Sequence, residues 1–282
     1  MLDIKERLKV NAEVVENALE SYYGENDSDF QKLIDAQKYG LLGGGKRIRA
    51  FLTLELSRIF SGNYDLAIPY ACAIEMIHAS SLIHDDMPCM DNDDTRRGKP
   101  STHKQFGESM ALLSGDAMMV KAFKVIADNS KLSAQSNIKA IGILAESTGD
   151  LGMLAGQTID IKAATEKLDF ETLVKLHKLK TGKLISASAK LGCVASGIFE
   201  NDERYIASVK YAESVGLAFQ IVDDILDYQE GKRELNSFLS FMSVEDATKY
   251  ALELTEVGIS AIAPYDDGTL TELAKYLIVR EY

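Results

Sequence analysis

Two groups of aspartates are the side chains in this sequence best spaced to do chemistry. The first reads His84-Asp85-Asp86-Met87-Pro88-Cys89-Met90-Asp91, the second Gln220-Ile221-Val222-Asp223-Asp224-Ile225-Leu226-Asp227. Asp223 and Asp227 stand four apart, so on a helix they share one face. In the first group Pro88 ends or distorts the helix and lets Asp91 return beside Asp85 and Asp86. Like charges so spaced destabilise an isolated helix by about 0.2–0.5 kcal/mol, and by more when the helix is buried. Magnesium is the natural neutraliser, a hard cation held by one or two carboxylates together with substrate phosphates. A solvated acidic helix end is the plainer explanation for either group alone. Two groups, each running out of an apolar segment, favour metal.

Cations gather as well. Gly43-Gly44-Gly45-Lys46-Arg47-Ile48-Arg49 is a glycine-rich turn opening a helix. Backbone donors at a helix start and bidentate arginines both hold phosphate. Arg96-Arg97 follows the first acidic group, and Lys180-Thr181-Gly182 sits within a further helical segment. Together with the carboxylates they describe a cavity for two diphosphates, one held through metal and one through cationic side chains.

Helices must position these groups. The four prolines are Pro69, Pro88, Pro100 and Pro264, so residues 101–263 contain none, which suits stacked helices. Phe30, Leu33, Ile34, Tyr39 and Leu41, and likewise Leu173, Leu176, Leu179 and Ile185, recur mostly at three- and four-residue steps. Polar breaks fall at 24–29, 43–45, 61–64, 128–131, 200–203 and 266–269. Residues 70–83 and 215–226 are apolar nearly all round and belong at the centre of a bundle. The expectation is an all-α fold, a single domain over residues 1–282 with roughly ten or more helices.

A chain of 282 residues, 46% hydrophobic and 26% charged, is ordinary for a globular protein. Its net charge of −12 argues against nucleic acid as a partner, although bound metal can invert charge locally. Residues 2–19 alternate charged and apolar side chains at helical spacing, so neither a signal peptide nor a membrane span is expected. Cys72, Cys89 and Cys193 are scattered with no CxxC pair, which indicates reduced thiols and a cytoplasmic location.

On the two aspartate groups and the basic motifs, the sequence resembles the trans-isoprenyl diphosphate synthases, or polyprenyl synthetases, over nearly its whole length. Asp85, Asp86 and Asp91 resemble the first aspartate-rich motif, in the form with two extra residues (here Pro88 and Cys89) typical of bacterial farnesyl and plant-type geranylgeranyl synthases. Asp223, Asp224 and Asp227 resemble the second. The resemblance implies a helical bundle around a deep central cavity, a homodimer, and magnesium, three ions bound with the allylic diphosphate by those six aspartates. It implies that Lys46, Arg49, His78 and Arg97 hold isopentenyl diphosphate, that Arg96 and Lys180 contact the allylic diphosphate, and that Thr181 and Gln220 line the reacting centre. Gln157, in Gly156-Gln157-Thr158-Ile159-Asp160, resembles another cavity position, and Ala50 stands where the family usually has proline.

The chemistry so implied is loss of diphosphate to leave an allylic cation, attack by the isopentenyl double bond, and loss of a proton to the released diphosphate. Ser80, five residues before Asp85, stands where family farnesyl synthases carry an aromatic. A lower floor follows, with farnesyl diphosphate as product and extension to geranylgeranyl diphosphate; Met76, Met118 or Met119 are the other candidates for that floor. After Asp227 the family continues through a loop of the type GKxxGxD. Here residues 228–235 and Asn236-Ser237-Phe238 read well against it, but no such loop stands between Leu235 and Asn236, and Lys232 comes too early to be its lysine. The undistorted flanks point to a mobile lid lying outside this sequence, and an intact mass of 31.0 kDa would instead mean that the lid is absent. Among rivals, class I terpene cyclases mix Asn, Ser and Glu in their second motif, and non-catalytic subunits of prenyl synthases tend to lose one motif. A metal phosphohydrolase, hinted at by His84-Asp85, finds no ligand spacing in His78, His103 or His177.

Overall fold

Residues 70–83 are apolar nearly all round and need neighbours on every side. In the computed structural model, which describes residues 3–24, 29–232 and 235–279, they have them. The described chain forms α1 (Ile4–Ser21), α2 (Gln31–Leu41), α3 (Ile48–Ser61), α4 (Ile68–Asp85), α5 (Thr102–Phe106), α6 (Glu108–Ala127) and α7 (Ala134–Thr148). It continues through α8 (Met153–Ala163), α9 (Phe170–His177), α10 (Lys183–Ala195), α11 (Glu203–Gln229), α12 (Val244–Ile262) and α13 (Thr269–Ile278). The central helix α4 packs against α1, α2, α3, α6 and α10. Tyr70, Ile74, Met76 and Ile77 lose all contact with solvent there, each contributing about 1.5–3 kcal/mol by burial.

The second apolar run lies in α11, a 27-residue helix capped by Asp202, whose side chain accepts from Arg204 N–H. Its Leu217, Ile221, Val222 and Ile225 pack on Leu173, Phe238, Ala247 and Ala251, so the helix carrying the second aspartate group is clamped between α9 and α12. The polar breaks at 43–45 and 128–131 fall between helices, those at 61–64, 200–203 and 266–269 overlap a helix end by one residue, and the break at 24–29 lies mostly outside the described residues; the proline-free stretch becomes α5 to α12. Pro69 sits in the first turn of α4, where no N–H is missed. Among the described residues no helix is long and apolar enough to cross a membrane. The lid position between Leu235 and Asn236 adjoins residues 233–234, which lie outside the described residues.

Two local features were not expected. One is a small hairpin, β1 (Thr95–Arg96) paired antiparallel with β2 (Lys99–Pro100). Its two-residue turn has Arg97 at φ 53° and Gly98 at φ 73°, the left-handed pair that a tight hairpin requires. The other is a π-helical turn, Lys178–Gly182, inserted between α9 and α10. Such turns cluster at functional sites.

Candidate active site

Two cavities meet beneath the C-terminal end of α4. The larger, about 410 Å³, is lined by Ser81, Asp85, Met119, Gln157, Lys180 and Thr181 among others. The smaller, about 140 Å³, is lined by Lys46, Arg97 and apolar side chains of α10, α11 and α13. Arg49 and His78 line both and form the wall they share.

The cationic cavity is built by the glycine turn. Gly44 and Gly45 take φ 94° and φ 119°, and a Cβ on Gly45 would lie 3.3 Å from the Arg97 guanidinium. Arg97 Nη1 donates to Gly44 O at 2.5 Å, fastening the hairpin to the turn. Arg47 itself is left-handed at φ 47°, and its buried side chain bonds Glu16, Glu75 (3.2 Å) and Leu41 O (2.5 Å). Glu75 also accepts from Ala50 N–H at 3.0 Å, satisfying a donor that the first turn of α3 leaves open. Burial alone would lower the Arg47 pKa; Glu75 and Glu16 more than reverse that. Arg49 is lowered by burial and by Arg97, against the pull of Glu75. Burial, then Arg49 and Arg97, push His78 well below its ordinary range, so it is neutral at neutral pH. Lys46 lies over the Tyr276 ring at 5.2 Å. Unmatched positive charge therefore faces the small cavity.

The acidic cavity is organised by the π-turn. A Cβ on Gly156 would lie 2.3 Å from Lys180 N, so α8 meets the turn backbone to backbone and brings Gln157 and Asp160 against it. Lys180 Nζ lies 2.5 Å from Asp160 and 3.8 Å from Asp85. On the other side Thr181 Oγ1 donates to Gln220 Oε1 at 2.8 Å, and Gln220 Nε2 donates to Asp223 Oδ2 at 2.9 Å. The turn thus stands between the two aspartate groups. Burial raises Asp85 to about 6, with Lys180 opposing and Asp91 and Asp160 adding to the rise. Asp91, whose N–H bonds Asp85 O at 2.9 Å, is raised for the same reasons.

The six aspartates are not equivalent. Asp86 is buried and engaged by Arg96, whose Nε donates at 2.9 Å. Asp224 accepts from Phe238 N–H at 2.7 Å, which offsets part of the rise that burial imposes. Asp227 pairs with Lys232 at 2.6 Å. Asp85, Asp91 and Asp223 are the ones arranged around the π-turn. Asp86 and Asp224 are thus set apart from their neighbours, Asp86 by the Arg96 guanidinium and Asp224 by a backbone donor. Ser80 also departs from expectation. It is buried, its hydroxyl bonds Ile77 O at 2.8 Å, and Ser81 occupies the cavity wall instead. Helical geometry explains the difference, since four residues before Asp85 is the same face and five is not.

Glu75, Asp160 and Arg47 have no role in the sequence expectation. Glu75 had a visible signal, being a carboxylate within the apolar run 70–83 that demands a buried partner. Asp160 stands three residues after Gln157 and so on the same helix face. Among the described residues no three His, Cys, Asp or Glu side chains converge as a ready cage for metal. Separate oxygen donors on two helices, with pKa values raised by crowding and burial, fit Mg²⁺, which relies on substrate phosphates for much of its coordination.

Residues 30–239 match the polyprenyl synthetase family, and the chain belongs to that family and is a prenyltransferase. A chloroplastic geranylgeranyl pyrophosphate synthase of Catharanthus roseus is 37% identical over 267 residues, 89% of this chain and 74% of that protein. A farnesyl diphosphate synthase of Haemophilus influenzae is 35% identical over 277 residues, 93% of this chain and 94% of that one. A crystal structure of an FPP/GFPP synthase from Zymomonas mobilis superposes with a TM-score of 0.90 at 33% identity, covering 98% of this chain and 99% of that one.

Proposed function

We propose that the chain joins isopentenyl diphosphate head-to-tail to allylic diphosphates (dimethylallyl, geranyl and then farnesyl), giving farnesyl and geranylgeranyl diphosphates. The observation that carries this reading is the pair of cavities sharing Arg49 and His78. One gathers Lys46, Arg49 and Arg97, its lone carboxylate Glu75 being engaged by Arg47 and Ala50 N–H; the other carries Asp85 with Lys180 beside it. Two diphosphates held differently and brought together at their tails fit that arrangement.

Lys46, Arg49, His78 and Arg97 hold the diphosphate of isopentenyl diphosphate in this scheme. Neutral His78 serves as a hydrogen-bond donor without adding to the crowded positive charge. Asp85, Asp91 and Asp223 hold Mg²⁺, with Asp227 a further donor once Lys232 is displaced. Mg²⁺ supplies the positive charge that stabilises the departing diphosphate. Lys180 turns from Asp160 to the allylic diphosphate, Arg96 reaches it from the hairpin, and Thr181, Gln157 and Gln220 orient its ester oxygen. Scission of the C–O bond leaves an allylic cation, which the isopentenyl double bond attacks; the adduct then loses a carbon-bound proton to the released diphosphate. Apolar Met119, Met153 and Leu184 along the larger cavity exclude water from the cation.

Small Ser81 on the wall, with Met119 beyond it, supports growth past C15, and the relatives' names span farnesyl and geranylgeranyl synthases. A homodimer is supported by exposed Leu112, Leu113 and Val120 on α6 and Ile138 on α7. A cytoplasmic setting is supported by three free cysteines. The test is incubation with isopentenyl diphosphate, Mg²⁺ and each allylic diphosphate in turn, followed by product mass. Linear C15 and C20 diphosphates are expected; a cyclic hydrocarbon or no turnover overturns the proposal.

A further inference from the structure

His177, the last residue of α9, plays no part in that scheme, yet it touches both sides of the second aspartate group. Its ring stacks on Phe238 with centroids 5.2 Å apart and planes 21° from parallel. Phe238 opens the short 3-10 turn Phe238–Ser240, and its N–H is the donor that holds Asp224. Asn236 ties this turn to the chain between α8 and α9, bonding Leu168 N–H and the carbonyls of Ala163 and Glu166. Gln220 is the ring's polar neighbour. Burial pushes His177 down to about 4, and a hydrogen-bonding contact with Gln220 opposes that push. Nε2 is buried, and no bond of ordinary geometry satisfies it among the described residues.

A neutral imidazole carries one N–H, and a carboxamide oxygen can accept two hydrogen bonds. Gln220 Oε1 accepts one from Thr181, while its amide nitrogen donates to Asp223. Turning the amide over would set its oxygen against the Asp223 carboxylate and its NH₂ toward Thr181 and His177. The Thr181 hydroxyl tolerates either orientation, because it can donate or accept. A ring N–H tolerates only one.

We propose that His177 is a positioning residue whose Nε2–H donates to Gln220 Oε1 and so fixes the amide with its NH₂ toward Asp223, while the ring face seats Phe238 over Asp224. One side chain thereby orders the two leading carboxylates of the second motif without touching substrate. The kinetic consequence rests on the prenyl-transfer scheme; the tautomer does not.

The experiment pairs ¹⁵N NMR of the full-length protein with a double-mutant cycle. In the wild type His177 is expected as the Nε2–H tautomer, with its Nε2 signal shifted in Gln220→Ala. His177→Phe keeps the stack and removes the donor. It should lower kcat or raise half-saturating Mg²⁺ by about 10–100-fold, the usual effect of losing a partner behind a metal ligand. The KM for isopentenyl diphosphate should move less than about twofold, because Lys46, Arg49 and Arg97 lie in the other cavity. The double variant His177→Phe, Gln220→Ala should fall no lower than Gln220→Ala alone. An Nδ1–H tautomer in the wild type, or effects that multiply in the double variant, overturns the proposal. If His177→Phe does not fold, the wild-type tautomer decides. A wild type that folds but transfers no prenyl group sinks the reaction scheme and leaves the tautomer as the judge here.

Discussion

In the cationic cavity the supporting charges are matched inside the protein before any ligand arrives. Arg47 lies between Glu16 and Glu75, Glu75 also satisfies Ala50 N–H, and Arg49 and Arg97 line the cavity. In the acidic cavity the matching is incomplete: Lys180 is shared between Asp160 and Asp85, and Asp85 is still raised to about 6. The first cavity can receive an anion as it stands, whereas in the second Lys180 is already engaged by Asp160 and Asp85. In the proposed scheme, this difference in how the charges are matched is what separates the two diphosphate positions.

The largest expected effect breaks the acidic side. Asp85→Asn should lower kcat by about 10²–10³-fold, the scale of losing one preorganised electrostatic group. The same change should raise the melting temperature of the metal-free protein at pH 7. The sign follows from the raised pKa. Folding opposes ionisation of a carboxyl moved from 3.8 to about 6, so the metal-free wild type loses stability as pH rises through that window and levels off above it. About two pKa units correspond to ~3 kcal/mol. Thermal scans from pH 4 to 7 should show that slope in the wild type and a weaker one in Asp85→Asn.

Glu75→Ala tests the other half. It leaves Arg47 buried beside Glu16 alone, and losing one member of a buried pair costs roughly 3–5 kcal/mol. Denaturant unfolding should show that loss, and the surviving folded enzyme should have a raised KM for isopentenyl diphosphate while its Mg²⁺ dependence stays put. Removing metal with a chelator sharpens the contrast: turnover should vanish, yet calorimetry should still detect isopentenyl diphosphate binding. Loss of that binding would mean the cationic cavity is not independent of metal.

Smaller effects are expected at the edges. Gly156→Ala must push α8 off the π-turn, an overpacking cost of about 1–3 kcal/mol, and should lower kcat through a displaced Lys180. Lys232→Ala removes an exposed pair with Asp227 and should leave the denaturant midpoint essentially unmoved, since exposed pairs contribute little.

Both aspartate groups, the glycine turn and the central helix were legible because each is a local pattern: charge spacing, turn residues and apolar periodicity. What local pattern left undecided turns on what lies across from a residue. Ser80 and Ser81 are adjacent small residues in sequence, and only the packing of α4 decides which meets the cavity. Asp86 is indistinguishable from Asp85 until Arg96 folds back through a hairpin whose strands are two residues each, too short to leave a periodic signal. The π-turn likewise has no sequence signature; in the fold it lies backbone to backbone against Gly156 on a different helix.

By itself, then, the sequence determined which side chains could do the chemistry and that helices would carry them, because ligand type and helical period are properties of neighbours along the chain. The tertiary structure alone decided which carboxylates stay open to a ligand, which serine meets the cavity, and how His177 comes to lie between Gln220 and Phe238. Those outcomes depend on contacts between residues tens to more than a hundred positions apart, where burial removes water and each polar group must find its partner in the fold.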